Sequence, residues 1–341
     1  MTVRAAPLYL AACLSVGCYP SYEIVQREAP IPVTPWNLTE LNSPYDDRNA
    51  AAPPSLHVQA EILFSSGRAS QDADLDLVPG RLWVEFGQWN AEYRVDARVI
   101  DASLIAAHLS QPGSNERGPR ILPGRRPWQE WLYLFASDRA GSYDVYACYG
   151  PRIDAQSVYD YRGERAYPDP EPPAPVPGLC DPELYEAYVS PLGDDRVLYA
   201  TDRGGAGLDL YQARLRTPGD LPAGVVEHAR VDALSSEGND SFPYVNGDVL
   251  VFASDRPGGF GGYDLYRARF DGSGWSAPEN LGPGINTEHD ERRPVFVRAE
   301  EFTNDLLLFS SDRPGGLGGF DLYAVGVSFA RDPASAAPAA R

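Results

Sequence analysis

The chain has 341 residues, 48 acidic against 29 basic, for a formal charge of −19. A surface this acidic repels phosphate backbones and argues against nucleic acid as a partner. Gly and Pro at 32 each, with Tyr (20) ahead of Phe (12), suit short strands joined by tight turns; with no long amphipathic helical pattern, an all-β fold is expected.

The first segment, residues 1–17, carries Arg4 and then the apolar run Ala5 to Ala12. That run is too short to span a bilayer and resembles a signal peptide. Leu10-Ala11-Ala12-Cys13 is the closer match to a bacterial lipobox, whereas Cys18 leaves a signal of more ordinary length. Cleavage before Cys18 also removes Cys13 and leaves Cys148 and Cys180 to pair, while cleavage before Cys13 would strand Cys18 as an odd thiol. Cys18 is therefore the expected lipidation site, with Cys13 as the alternative. Residues 18–35 read as a tether. Tyr19, not Asp, follows the cysteine, and the resemblance to lipoproteins then implies the outer membrane, with a periplasmic or surface-facing body held through its lipid.

Residues 36–330 hold an internal repeat. Four copies read apolar strand, Ser/Thr-Asp-Arg, turn, then aromatic or Leu, Asp, aliphatic, Tyr. Their polar positions are Asp138, Arg139 and Asp144; Asp202, Arg203 and Asp209; Asp255, Arg256 and Asp264; and Asp312, Arg313 and Asp321. An eroded fifth copy runs from Phe64 to Val78, with Gly67 in place of the first Asp. Each copy has the form of a β-hairpin whose loop glycines serve positive φ. The first Asp is expected to accept loop N–H groups, and the Arg to pair with an acid such as the second Asp. A second element, Trp36-Asn37-Leu38 with Asp46-Asp47, parallels Glu279-Asn280-Leu281 with Asp290-Glu291. By repeat phase it belongs before the first hairpin, as a ring closed by its own N-terminal strand would require. Five radial blades are expected, with six as the alternative.

The stretches Ser254 to Tyr266 and Ser311 to Tyr323 resemble the WD40-like, TolB-type propeller repeat of bacterial envelope proteins. The resemblance implies a periplasmic or surface propeller acting as a protein-interaction platform.

Two segments interrupt the repeat. Residues 80–127 include the alternating Arg81 to Trp89 and a possible short helix within 97–109; Trp83, Trp89, Trp128 and Trp131 are candidate interface anchors. Residues 149–180 form a Pro-rich excursion in which ladder pairing is not expected. Cys148 and Cys180 flank it and are expected to form a disulfide. Residues 331–341 read as a disordered tail.

The four histidines are scattered, and no hydrolase elbow, metalloprotease helix or phosphate loop occurs. No catalytic, cofactor-binding or metal-binding residue is therefore expected. Asp residues recurring once per blade behave as structural positions. The expected function is a non-enzymatic scaffold binding another envelope protein. The alternatives are a glycan-binding or glycan-acting five-bladed propeller, and a structural subunit of a larger envelope complex.

Overall fold

The structure, a computed structural model, describes residues 30–56, 59–87, 92–126, 130–205, 207–299 and 302–329. Cys13, Cys18, Trp89 and Trp128 lie outside these, so the lipidation site and two of the proposed anchors are not located.

The chain opens with β1 (Trp36–Asn37) and then winds through β2 (Asp47–Ala51), the two-residue β3 (Ser55–Leu56), β4 (Gln59–Ser66), β5 (Asp76–Gly87) and β6 (Glu92–Val99). Helix α1 (Leu104–Leu109) follows, started by Ser103, whose hydroxyl accepts from the Ala106 N–H as an N-cap should. The second blade is β7 (Glu116–Pro123), β8 (Trp131–Ser137), β9 (Asp144–Gly150) and β10 (Ala174–Pro175). The third is β11 (Glu186–Leu192), β12 (Arg196–Thr201), β13 (Asp209–Thr217) and β14 (Asp220–Arg230). The fourth is β15 (Asp240–Asn246), β16 (Val249–Ser254), β17 (Asp264–Arg269) and β18 (Glu279–Asn280). The last is β19 (Glu291–Ala299), β20 (Asp305–Ser311) and β21 (Asp321–Val327).

Five sheets result, each an antiparallel run in chain order from its innermost strand outward, with the short β3 added in parallel beside β19 of the last. The fifth is completed by β1, with Trp36 opposite Ala324 and Asn37 opposite Tyr323. The ring is thus a five-bladed β-propeller clasped by its N-terminal strand. The hairpins share one register: Ser66 faces Asp76, Ser137 faces Asp144, Thr201 faces Asp209, Ser254 faces Asp264 and Ser311 faces Asp321. The eroded copy at 64–78 is therefore a full blade.

Strands β16 and β20 are buried along their whole length, because each sheet has a neighbour on both faces. Phe64, Phe252 and Phe309 occupy equivalent positions at 0% exposure, each contributing roughly 1.5–3 kcal/mol of burial.

Residues 80–127 supply the rest of β5, all of β6, α1 and β7, which belong to the first two blades. The Pro-rich excursion returns to the sheet, contrary to expectation. Ala174 and Pro175 pair with Ala147 and Tyr146 as the outermost strand of blade two, where proline's missing donor is tolerated. The same path separates the cysteines. Val145 N–H donates to the Leu179 carbonyl, setting Cys180 beside the start of β9 while Cys148 lies four residues along it. Four residues of strand span about 13 Å, beyond the reach of a disulfide. Cys148 and Cys180 are free thiols, and the expected bridge is not made.

Candidate functional site

The repeat residues build a hub in every blade. Each motif arginine pairs with the acid that opens the innermost strand of its own blade: Arg68 with Asp47, Arg139 with Glu116, Arg203 with Glu186, Arg256 with Asp240 and Arg313 with Glu291, at 2.5–3.0 Å. All five acids are fully buried. This corrects the expectation that the second Asp is the partner. Asp264 and Asp321 instead accept the N–H groups of Phe260 and Leu317 in their own loops, and the amides of Asn280 and Asn37. Asp209 pairs with Arg230.

The first Asp accepts a backbone N–H from the loop entering the innermost strand: Asp138 from Asn115, Asp202 from Tyr185, Asp255 from Asn239 and Asp312 from Asp290. In the first blade Asp72 does this for Asp46, at 2.9 Å, in place of Gly67. A Cβ on Gly67 would lie 2.1 Å from the Asp72 carboxylate. These contacts are architectural, and no reacting centre is formed by them.

Two positions after each hub acid, the chain makes a bulge. Asn49, Gly118, Tyr188, Phe242 and Arg293 all have φ between 52° and 61°, and in every blade the ladder register shifts beside them. Left-handed backbone at a tyrosine, a phenylalanine and an arginine costs about 1–3 kcal/mol each and concentrates where a side chain must be aimed. The bulges turn side chains toward the axis. Arg48, Asn49, Arg117, Tyr188, Phe242 and Arg292 line a cavity of about 250 Å³, and all five innermost strands contribute to it.

The cavity has two unlike walls. Blades three and four supply aromatics, with the Tyr188 and Phe242 rings 4.4 Å apart, Tyr263 5.8 Å beyond, and the Tyr185 hydroxyl donating to that of Tyr188 at 3.1 Å. Burial pushes the Tyr185 and Tyr263 phenols up, the latter to about 12, so both stand as neutral O–H groups at physiological pH. Blades five, one and two supply guanidiniums. Arg48 and Arg292 lie 5.5 and 5.2 Å from the Phe320 ring, and Arg117 stacks 4.7 Å from Tyr143. Burial pushes the Arg48 pKa down and Asp46 pulls it back, while Arg117 and Arg292 push it down further. Deeper in the channel, Arg293 donates to the Pro119 carbonyl and Arg120 to that of Val245. Burial drives the Arg293 pKa down to about 10.

None of the described lining residues of this pocket is acidic. Retaining and inverting glycoside hydrolysis ordinarily needs two carboxylates, so the pocket's own groups offer recognition: stacking faces, phenolic donors and cations.

A second cavity of about 350 Å³ opens between blades one and two, lined by Gln59, Glu61, Ile121, Trp131, Tyr133 and Arg152 among others. Burial, then Asp154, raises the Glu61 pKa, opposed by Arg152. Arg81 bridges Asp154 at 2.8 Å and Glu61 at 3.8 Å. Of the candidate anchors, Trp131 lines this cavity, while Trp83 hydrogen-bonds Gln59 at 3.0 Å and stacks 4.9 Å from Arg98.

No family model matches the chain, and no curated protein matches it in sequence. Solved structures do. A GH62 hydrolase in complex with xylotriose aligns with TM-score 0.53 and 12% identity over 89% of this chain and 99% of its own. An alpha-L-arabinofuranosidase from Podospora anserina in complex with cellotriose gives 0.50 and 12%, over 88% and 98%. A GH43_1 enzyme from Xanthomonas citri in complex with xylotriose gives 0.50 and 12%, over 88% and 92%. The chain has the fold of the five-bladed glycoside hydrolase propellers. This finding corrects the expectation of a non-enzymatic scaffold. Repeated Asp residues do mark structure, but they carry no information about the axis, where the blades differ and where that expectation had no residues to weigh.

Proposed function

We propose that the chain is a carbohydrate-active propeller whose saccharide is received in the axial pocket. The observation carrying this reading is the aromatic wall of Tyr188, Phe242 and Tyr263, held by strained bulges on a ring similar in fold to propellers solved with xylotriose or cellotriose. Aromatic faces cover the C–H faces of a sugar while a few fixed polar groups set its orientation. The pocket is small, which suits a terminal or branch unit better than a threaded chain.

Calorimetric titration with neutral and acidic oligosaccharides, with reducing-end release followed in parallel, tests this. Phe242→Asn keeps a residue tolerant of left-handed backbone and removes the ring; binding should fall at least tenfold with an unchanged circular dichroism spectrum. Equal binding by this variant and the parent would sink the axial assignment.

We propose further that residues 1–17 export the chain and that Cys18 anchors it at the outer membrane, among envelope glycans. Cys18→Ser should move it from the membrane to the soluble fraction. The Ser-Asp-Arg hairpins support kinship with the WD40-like, TolB-type repeat.

A further inference from the structure

The axial pocket contradicts the charge of the molecule around it. The chain as a whole carries −19, yet Arg48, Arg117 and Arg292 line the pocket, and Arg120 and Arg293 fill the channel deeper in. Nearby carboxylates offset only part of this. Asp46 pairs with Arg48 at 3.0 Å and Asp290 with Arg292 at 2.6 Å. Asp138 is occupied by the Asn115 backbone N–H and side-chain amide, each at 2.7 Å. Arg120 and Arg293 have only carbonyl acceptors for their Nη2 groups.

Arg117 decides the matter. Among the described residues its side chain makes no ion pair and no hydrogen bond, and the ring it stacks on is that of Tyr143, at 4.7 Å. Its Nε is buried without an acceptor, as are those of Arg48 and Arg292, while its terminal nitrogens are not among the buried unpartnered atoms and belong to a side chain lining the cavity. A folded core rarely leaves so many N–H groups unmatched. Guanidiniums packed this way repel one another, and an oxyanion is the species that matches their planar fork. The neutral Tyr263 phenol, its ring 4.7 Å from the Arg292 guanidinium, adds a donor and brings no competing charge.

Resting on the carbohydrate reading above, we propose that the axial pocket selects an acidic sugar unit, one bearing a carboxylate or sulfate, with Arg117 as its principal anchor and Arg48 and Arg292 flanking. The oxyanion meets the arginine wall while the pyranose or furanose face rests on Tyr188 and Phe242. An acidic exterior then has a use: it repels polyanions everywhere except at the axis, so an acidic chain is admitted by its end.

The test is calorimetry of the intact chain with trigalacturonate, its fully methyl-esterified form, a 6-sulfated galactose trisaccharide, xylotriose and inorganic sulfate. The expected result is binding of at least one acidic trisaccharide, weakened about ten- to hundredfold by methyl esterification or by Arg117→Gln, and reduced by added salt. The carboxylate and sulfate arms tell which oxyanion is preferred. Arg117→Ala and Arg292→Gln, checked by circular dichroism, guard against a folding defect in the first variant. Equal affinity for the acid and its ester would overturn the anion assignment and leave the carbohydrate reading standing. Sulfate binding lost in Arg117→Gln, with no saccharide bound, would keep the anion site and remove the sugar. Absence of every one of these would remove both.

Discussion

The hub of each blade and the axis of the ring lie within two residues of one another along the chain, yet they obey opposite rules. At the hub, five arginines meet five buried acids in one geometry. At the following two positions the blades carry Arg48-Asn49, Arg117-Gly118, Ala187-Tyr188, Ser241-Phe242 and Arg292-Arg293, on a backbone that bulges identically in all five. The backbone solution is repeated and the side chains are not. Where copies agree the residue serves the ring, and where they diverge on a common backbone the axis is free to serve the ligand proposed above.

The contrast is sharpest in stability. Arg256→Ala should cost about 3–5 kcal/mol in urea denaturation, because it leaves Asp240 charged at 0% exposure. Arg117→Ala, which breaks no ion pair and loses the stacking on Tyr143, should cost only about 1 kcal/mol. Equal losses would erase the distinction between hub and axis. A smaller effect is expected at the eroded hub. Gly67→Asp should destabilise by about 1–3 kcal/mol through its clash with Asp72, and adding Asp72→Gly should recover most of that, since Asp72 already sits at φ 68° and its acceptor role passes back to position 67. An additive double mutant would show that the two sites do not substitute for each other. Least in size is the alkaline limb. The Tyr263 phenol is raised from 10 to about 12, so its folded form holds the proton more tightly than the unfolded chain. Its contribution to stability is full below pH 10 and is lost as pH rises through about 12, and Tyr263→Phe should flatten that part of the stability profile.

Much of the ring was legible beforehand. Gly67 and Asp76 stand nine residues apart, as Asp255 and Asp264 do, which identified a blade despite its missing Asp, and the Trp36-Asn37-Leu38 element predicted the closure that Trp36 and Ala324 make. Hairpins are written locally, in turn chemistry and alternation. The axial site was not legible for the converse reason: its residues come from five strands far apart in sequence, and Arg48, Arg117 and Arg292 look like ordinary surface charges when read singly. Counting one place on from each hub acid would have lined them up, because Asp46-Asp47 and Asp290-Glu291 were already aligned. Net charge was silent here, since a total of −19 says nothing about a pocket that collects the opposite sign. The disulfide failed on geometry. Flanking a loop in sequence does not bring Cys148 and Cys180 together when the loop's last turn runs antiparallel along β9.

The clasp of β1 on β21 has a mechanical consequence. Two residue pairs form that strand contact, backed by the Asn37 amide on Asp321 and the Asn42 side chain on Leu322, by Leu38 N–H on the Leu322 carbonyl and Gly326 N–H on the Pro32 carbonyl, and by the paired bonds of Ile31 with Asn304. Any pull on the chain ahead of Trp36 therefore bears first on the outer edge of the fifth blade, and the wheel would open there, like a buckle, before any other sheet felt the load.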